Sequence, residues 1–197
     1  MMLNRALLKK VIEAALLAAG KPLNIRELSD LWLSSNESSA ISLETLKTEI
    51  TTILHEIAQT CLEERGIELK EVASGFRFQV KLEVAPQVSK LWTERPARYS
   101  RALLETLILI AYRQPITRSE IEQVRGVSVN VQIMKTLLDF EWIKVVGQRN
   151  SPGRPRLYGT TVTFLDHFGL KNLEELPSLE HLKESALALR EIEHDNF

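Results

Sequence analysis

The sequence predicts a mainly α protein with small β-hairpin wings, built as two tandem copies of one module, and three observations carry this. Only 8 Gly and 7 Pro occur in 197 residues, too few for the turns of a many-stranded sandwich. A shift of 93 residues lays Pro22, Leu23 and Asn24 on Pro115, Ile116 and Thr117, and Glu27, Leu28 and Leu31 on Glu120, Ile121 and Val124. Near the end of each copy the apolar spacing changes from helical to alternating.

The first helix is read from Leu3, Leu7, Leu8, Val11, Ala15, Leu16 and Ala19, which recur at helical spacing and leave Asn4, Arg5, Lys9 and Glu13 polar. Arg5, Lys9 and Lys10 before an Ala/Leu-rich stretch imitate a signal peptide, but Glu13 interrupts the apolar region, so an amphipathic helix fits better. Asn24 with Glu27 has capping-box spacing and starts a second helix. A polar insertion, residues 34–41, follows. Ser42 then caps a third helix through Leu43, Leu46, Ile50, Ile53, Leu54, Ile57 and Cys61, and Gly66 suits a left-handed stop. Ile67, Leu69, Phe76, Phe78 and Val80 alternate about Ser74-Gly75 as a hairpin. A short helix over 83–94 leads to a break at Arg95-Pro96.

The second copy repeats the order. Its first helix matches the first copy at Leu104, Leu107, Ile108, Ile110 and Ala111, and Thr117 with Glu120 forms another capping box. Ser128 is the expected cap of the third helix, followed by a strand over 142–146, a loop over 149–156 and a second strand at Leu157-Tyr158. Three helices closed by a two-stranded wing make a winged-helix module. The expected domains are 1–94 and 95–170, with an acidic, frayed tail over 171–197 that contains Leu182, Ala186 and Leu189 at helical spacing.

The chemistry points away from catalysis. The sequence holds no phosphate-binding glycine loop, nucleophile elbow, zinc-protease motif or paired Cys. His55, His167, His181 and His194 are widely separated, so neither a metal nor any other cofactor is expected. The single Cys61 lies among apolar helix positions, reads as a core residue and suits a reducing cytoplasm. No apolar run approaches membrane-spanning length. Net charge is −1 overall but +4 over 94–170 and −4 over 171–197.

Winged helices often bind DNA. In the second copy the groove-facing helix offers Asn130 and Gln132 to bases but only Lys135 to phosphates, leaving the wing residues Arg149, Arg154 and Arg156 to anchor the backbone. The first copy places Glu44, Glu49 and Glu56 beside Lys47. Protein docking suits these surfaces better. The small residues Ala14, Ala15, Ala18 and Ala19, with Leu7 and Val11, make the first helix a candidate face for self-association into a homodimer.

Residues 102–126, ALLETLILIAYRQPITRSEIEQVRG, together with Leu137-Leu138, the segment 142–147, Pro152-Gly153-Arg154-Pro155-Arg156-Leu157-Tyr158-Gly159 and Phe164-Leu165, resemble the segregation and condensation protein B family. The resemblance covers most of residues 3–179. It implies dimerisation through the first module, binding to a kleisin, segregation and condensation protein A, and through it an SMC ATPase that organises and separates bacterial chromosomes. The role it implies is non-catalytic, cytoplasmic and nucleoid-associated, and direct contact with DNA inside the complex stays open. A winged-helix transcriptional regulator is the alternative. The sequence departs from the family pattern at Gln148 and Asn150, where Arg and Asp are frequent, and at Glu141, where Gly is common. That last helix is therefore expected to end differently. Gly153 and Gly159 are expected to give the wing backbone its freedom, and Pro152 and Pro155 to stiffen it. The partner-contact candidates are Tyr112, Arg113, Arg125, Arg154 and Tyr158, expected exposed, with fastening of the second module as the alternative role for them.

Overall fold

The computed structural model describes residues 3–35, 42–62, 65–91 and 99–178. The Arg95-Pro96 break, most of the 34–41 insertion and the tail beyond 178 lie outside the described residues.

The first module runs α1 (Arg5–Ala18), α2 (Ile25–Ser35), α3 (Leu43–Leu62), β1 (Ile67–Val72) and β2 (Gly75–Val80). Helix starts follow the caps read from sequence. The Asn24 side chain accepts from the Glu27 N–H at 2.9 Å while the Glu27 carboxylate accepts from the Asn24 N–H at 2.9 Å. Ser42 accepts from the Thr45 N–H. Leu8, Ile12 and Leu16 of α1 meet Leu28 and Trp32 of α2 and a buried row on α3 from Leu46 to Cys61. Each such fully buried aliphatic stabilises the module by about 1.5–3 kcal/mol. Cys61 is buried in this core. The hairpin pairs Ile67 with Val80 through Val72 with Gly75. Leu23 adds an isolated bridge to Phe76, with N–H···O bonds of 2.9 and 2.8 Å, which the alternation pattern alone did not announce. The helix expected over 83–94 is described only as α4 (Ala85–Val88) and a 3-10 turn (Ser89–Leu91).

The second module runs α5 (Arg101–Arg113), β3 (Ile116–Thr117), α6 (Arg118–Arg125), α7 (Val131–Asp139), β4 (Ile143–Gln148), β5 (Arg156–Thr160) and α8 (Val162–His167). Its sheet has the order β3-β5-β4. Ile116 pairs with Tyr158 as part of a third strand, where its repeat partner Leu23 makes only an isolated bridge to the first wing. The Thr117–Glu120 capping box forms as expected. Leu103, Leu107, Ile110, Ile121, Leu137, Trp142 and Phe164 lie in a separate core. Trp142 is ringed by Tyr99, Phe140, His167 and Phe168, with centroids 4.6–5.3 Å away.

Four local expectations are corrected. Asn130, not Ser128, caps α7, its side chain accepting from the Gln132 N–H at 2.9 Å. Gly66 is not left-handed; its carbonyl accepts from the Lys81 N–H instead. Gly159 has no positive φ. It is required for clearance, because a Cβ there would sit 2.9 Å from Gln114 Oε1 and 3.1 Å from Val146 Cγ1. Glu141 keeps the left-handed stop despite its side chain, at φ 55°. The Trp142 N–H donates to Leu137 O and the Glu141 N–H to Leu138 O, the two bonds of a Schellman stop. Thr161 Oγ1 donates to the Glu141 carbonyl and holds it there. A non-Gly residue in this conformation costs about 1–2 kcal/mol. Glu141→Gly is therefore expected to raise the stability of the second module by about 1 kcal/mol, read as a higher denaturation midpoint with unchanged slope; an unchanged or lower midpoint counts against the strain at Glu141.

Candidate functional site: the exposed faces of the two modules

On α1 the fully buried edge is Leu8, Ile12 and Leu16. A 3.6-residue period carries Leu7, Ala14, Leu17 and Ala18 to the other side, and all four are exposed, Leu7 by 45% and Leu17 by 75%. Val11 and Ala15 are half-buried and pack on the core, so they flank this stripe rather than form its crest. Leu17, which the sequence reading missed, is its most exposed large side chain. Only its phase relative to Leu8, Ile12 and Leu16 reveals it. Arg5 and Lys9 are drawn the other way, pairing with Glu49 and Glu56 of α3. Glu49 and Glu56 are thus met by cations, and the Arg5 contacts hold Glu56 below the usual carboxylate range.

In the second module the partner candidates separate into two groups. Arg113 and Arg154 are exposed and make no ion pair among the described residues. Arg154 sits in the wing loop at φ 41°, after Gly153 at φ 79°. The remaining three are engaged internally. Arg125, expected exposed, is instead packed, its side chain only 10% exposed, with Nη2 donating to Glu105 at 3.1 Å and Nη1 to Thr106 at 3.3 Å. It fastens α6 to α5. Tyr112 is half-buried and its hydroxyl donates to the Pro177 carbonyl, tying down the segment after α8, and burial pushes its phenol up. Tyr158 lies in the central strand of the sheet and packs against the core.

The winged-helix face that reads DNA in other proteins exposes three valines here, beside Ser128, Gln132 and Lys135. Val124, Val127 and Val131, around the α6–α7 turn, are 45%, 57% and 65% exposed. Asn130 spends its side-chain oxygen on the helix cap. Of the basic wing, Arg149 pairs with Glu120, which the Thr117 backbone N–H and Arg149 together pull down to about 2. Arg154 and Arg156 are left to meet phosphate, fewer contacts than the 6–10 of strongly salt-dependent DNA binders. No group of His, Cys, Asp and Glu able to hold a metal occurs among the described residues, and no described helix is long and apolar enough to cross a membrane.

Comparison with known proteins places this geometry. The family model for segregation and condensation complex subunit ScpB matches residues 10–179. A segregation and condensation protein B homolog of Coxiella burnetii is 55% identical over 172 residues, covering 87% of this chain and 78% of its own. Segregation and condensation protein B of Geobacillus kaustophilus is 45% identical over 186 residues, covering 93% and 80%. Neither carries a catalytic name. A solved dimer of the ScpB N-terminal domain complexed with ScpA peptide is 32% identical in sequence, with a TM-score of 0.33, covering 43% of this chain and 93% of that one. With a family model spanning 170 of its 197 residues, this chain belongs to the ScpB family of segregation and condensation complex subunits.

Proposed function

We propose that the chain is a non-catalytic subunit of a chromosome segregation and condensation complex, that it dimerises through the α1 stripe, and that it binds a kleisin, segregation and condensation protein A, which links it to an SMC ATPase. Dimerisation and capture of an ScpA peptide are features of the solved ScpB N-terminal domain that this reading brings to the present chain. Residues 1–94 serve as the dimerisation domain and residues 95–170 contribute the second kleisin-binding surface.

The observation that carries the reading is exposed apolar surface on α1 of the first module and around the recognition helix of the second. Leu7 and Leu17 of α1 and Val127 and Val131 at the recognition helix face outward. Apolar crests suit a protein partner and contribute nothing to phosphate binding. A dimer also presents every surface twice, so a flexible kleisin tethered at one surface reaches the next at high effective concentration.

Co-purification of the full chain with its kleisin tests the proposal. Arg154→Glu, exposed and outside both cores, is expected to leave the fold intact and to weaken kleisin capture roughly tenfold, because reversing a charge at the rim of a contact removes the pairing it makes there. Undiminished capture removes Arg154 from the contact. Complex formation that survives high salt supports apolar docking, whereas binding to a short duplex that collapses with salt returns the protein to the DNA-binding class.

A further inference from the structure

The two modules meet at the turn joining β1 to β2. There the Ala73 N–H donates to the Leu170 carbonyl at 3.0 Å and the Ser74 N–H donates to the Asp166 carboxylate at 3.0 Å. Lys171 pairs with Glu71 beside them. Arg77 of β2 lies close enough to His167 for its charge, added to burial, to push that imidazole down.

The second module's half of this contact is shaped for it. Asp166 sits in the last turn of α8, where the helix dipole disfavours a carboxylate, so local helix energetics do not explain an acid there. Two backbone donors of the first module do: one takes Asp166 and the other takes Leu170. Gly169, at φ 68°, turns the chain directly after α8 and presents the Leu170 carbonyl to Ala73. Each module has its own apolar core, and none of the residues of the contact belongs to either one's buried cluster.

The geometry points to a closed state in which the first wing clasps the second module through Ser74–Asp166, Ala73–Leu170 and Glu71–Lys171, and to release of this clasp as a conformational change built into the chain. The turn of a wing is the part that reaches other molecules. While clasped, the Ala73 and Ser74 amides of that turn are occupied. This inference concerns the chain alone and stands apart from the kleisin proposal.

Residue-resolved amide exchange on the full chain, without any partner, tests it. The Ser74 amide is expected to exchange roughly tenfold faster in Asp166→Ala than in the natural protein. The Phe76 amide, bonded to Leu23 inside the first module, is expected to stay unchanged and so reports that the module remains folded. Lys171→Glu is expected to accelerate both the Ala73 and Ser74 amides, as is raised salt, and the exchanged pair Glu71→Lys with Lys171→Glu to restore them. Loop-like exchange of Ser74 in the natural protein, no response to Asp166→Ala, or failure of the exchanged pair to restore protection overturns the clasp. Protection that fades on dilution also overturns it, by assigning the contact to two chains.

Discussion

Gly75→Ala is expected to unfold the first module under conditions where the natural protein is stable. Gly75 opens β2 at φ +145°, and a Cβ built on it would lie 2.4 Å from both the carbonyl carbon and oxygen of Leu23 and 2.6 Å from the Asn24 nitrogen. These are backbone atoms, and they are held from both sides. Leu23 is bridged to Phe76, and Asn24 caps α2. Nothing there can rotate away, so the methyl group must break the bridge or the cap. Together with the positive φ, the cost is expected to be at least about 3 kcal/mol. Calorimetry on the variant checks this, with Gly153→Ala as the comparison: that glycine also has a positive φ, but nothing lies within 4 Å of its Cβ position. Its cost should be only about 1 kcal/mol. Equal losses from the two substitutions rule out the close approach as the reason for glycine at position 75.

Leu17→Glu is expected to separate the dimer into 22.4 kDa chains while leaving each folded. The side chain is 75% exposed and touches little of its own module, so the monomer loses almost nothing. In the proposed dimer the same stripe faces itself across a two-fold axis, and one substitution places carboxylates on both sides of an apolar contact. Burying an unpaired charge at the centre of such a face is expected to weaken association at least about 100-fold. Sedimentation equilibrium reads the result directly. Val162→Glu, at an exposed site in the second module, should leave association intact. A natural chain that remains at 22.4 kDa at high concentration, or a Leu17→Glu variant that associates as before, removes α1 from the interface.

The residues that act through their near neighbours were legible without coordinates. Asn24 with Glu27 and Thr117 with Glu120 each close a hydrogen-bonded ring between residues three positions apart, so spacing alone identifies them. The apolar row of α3 is equally local, and from Leu46 to Cys61 all of its positions are buried as expected. For Arg125 the sequence left partner contact and fastening of the second module both open; its partners Glu105 and Thr106 lie about twenty residues away, and only the packing of α6 on α5 brings them together. Ser128 and Asn130 are both good caps, and the choice depends on where the α6–α7 turn lets the helix begin.

The sequence by itself determined the doubled module, the order of its helices and wings, and its kinship, since all three are written in periodicity, caps and motif spacing, which the chain carries wherever it goes. Tertiary structure decided which apolar residues remain outside. Leu17 and Leu16 are adjacent and alike in composition, yet one is 75% exposed and the other 4%. It also decided that Leu23 and Ile116 would pair with their wings, that Glu141 would hold a left-handed stop, and that Asp166 would meet Ser74 across 92 residues. Each of these depends on chain segments brought together from afar, and a hydrogen bond or a contact exists only once the loop between its partners has been closed.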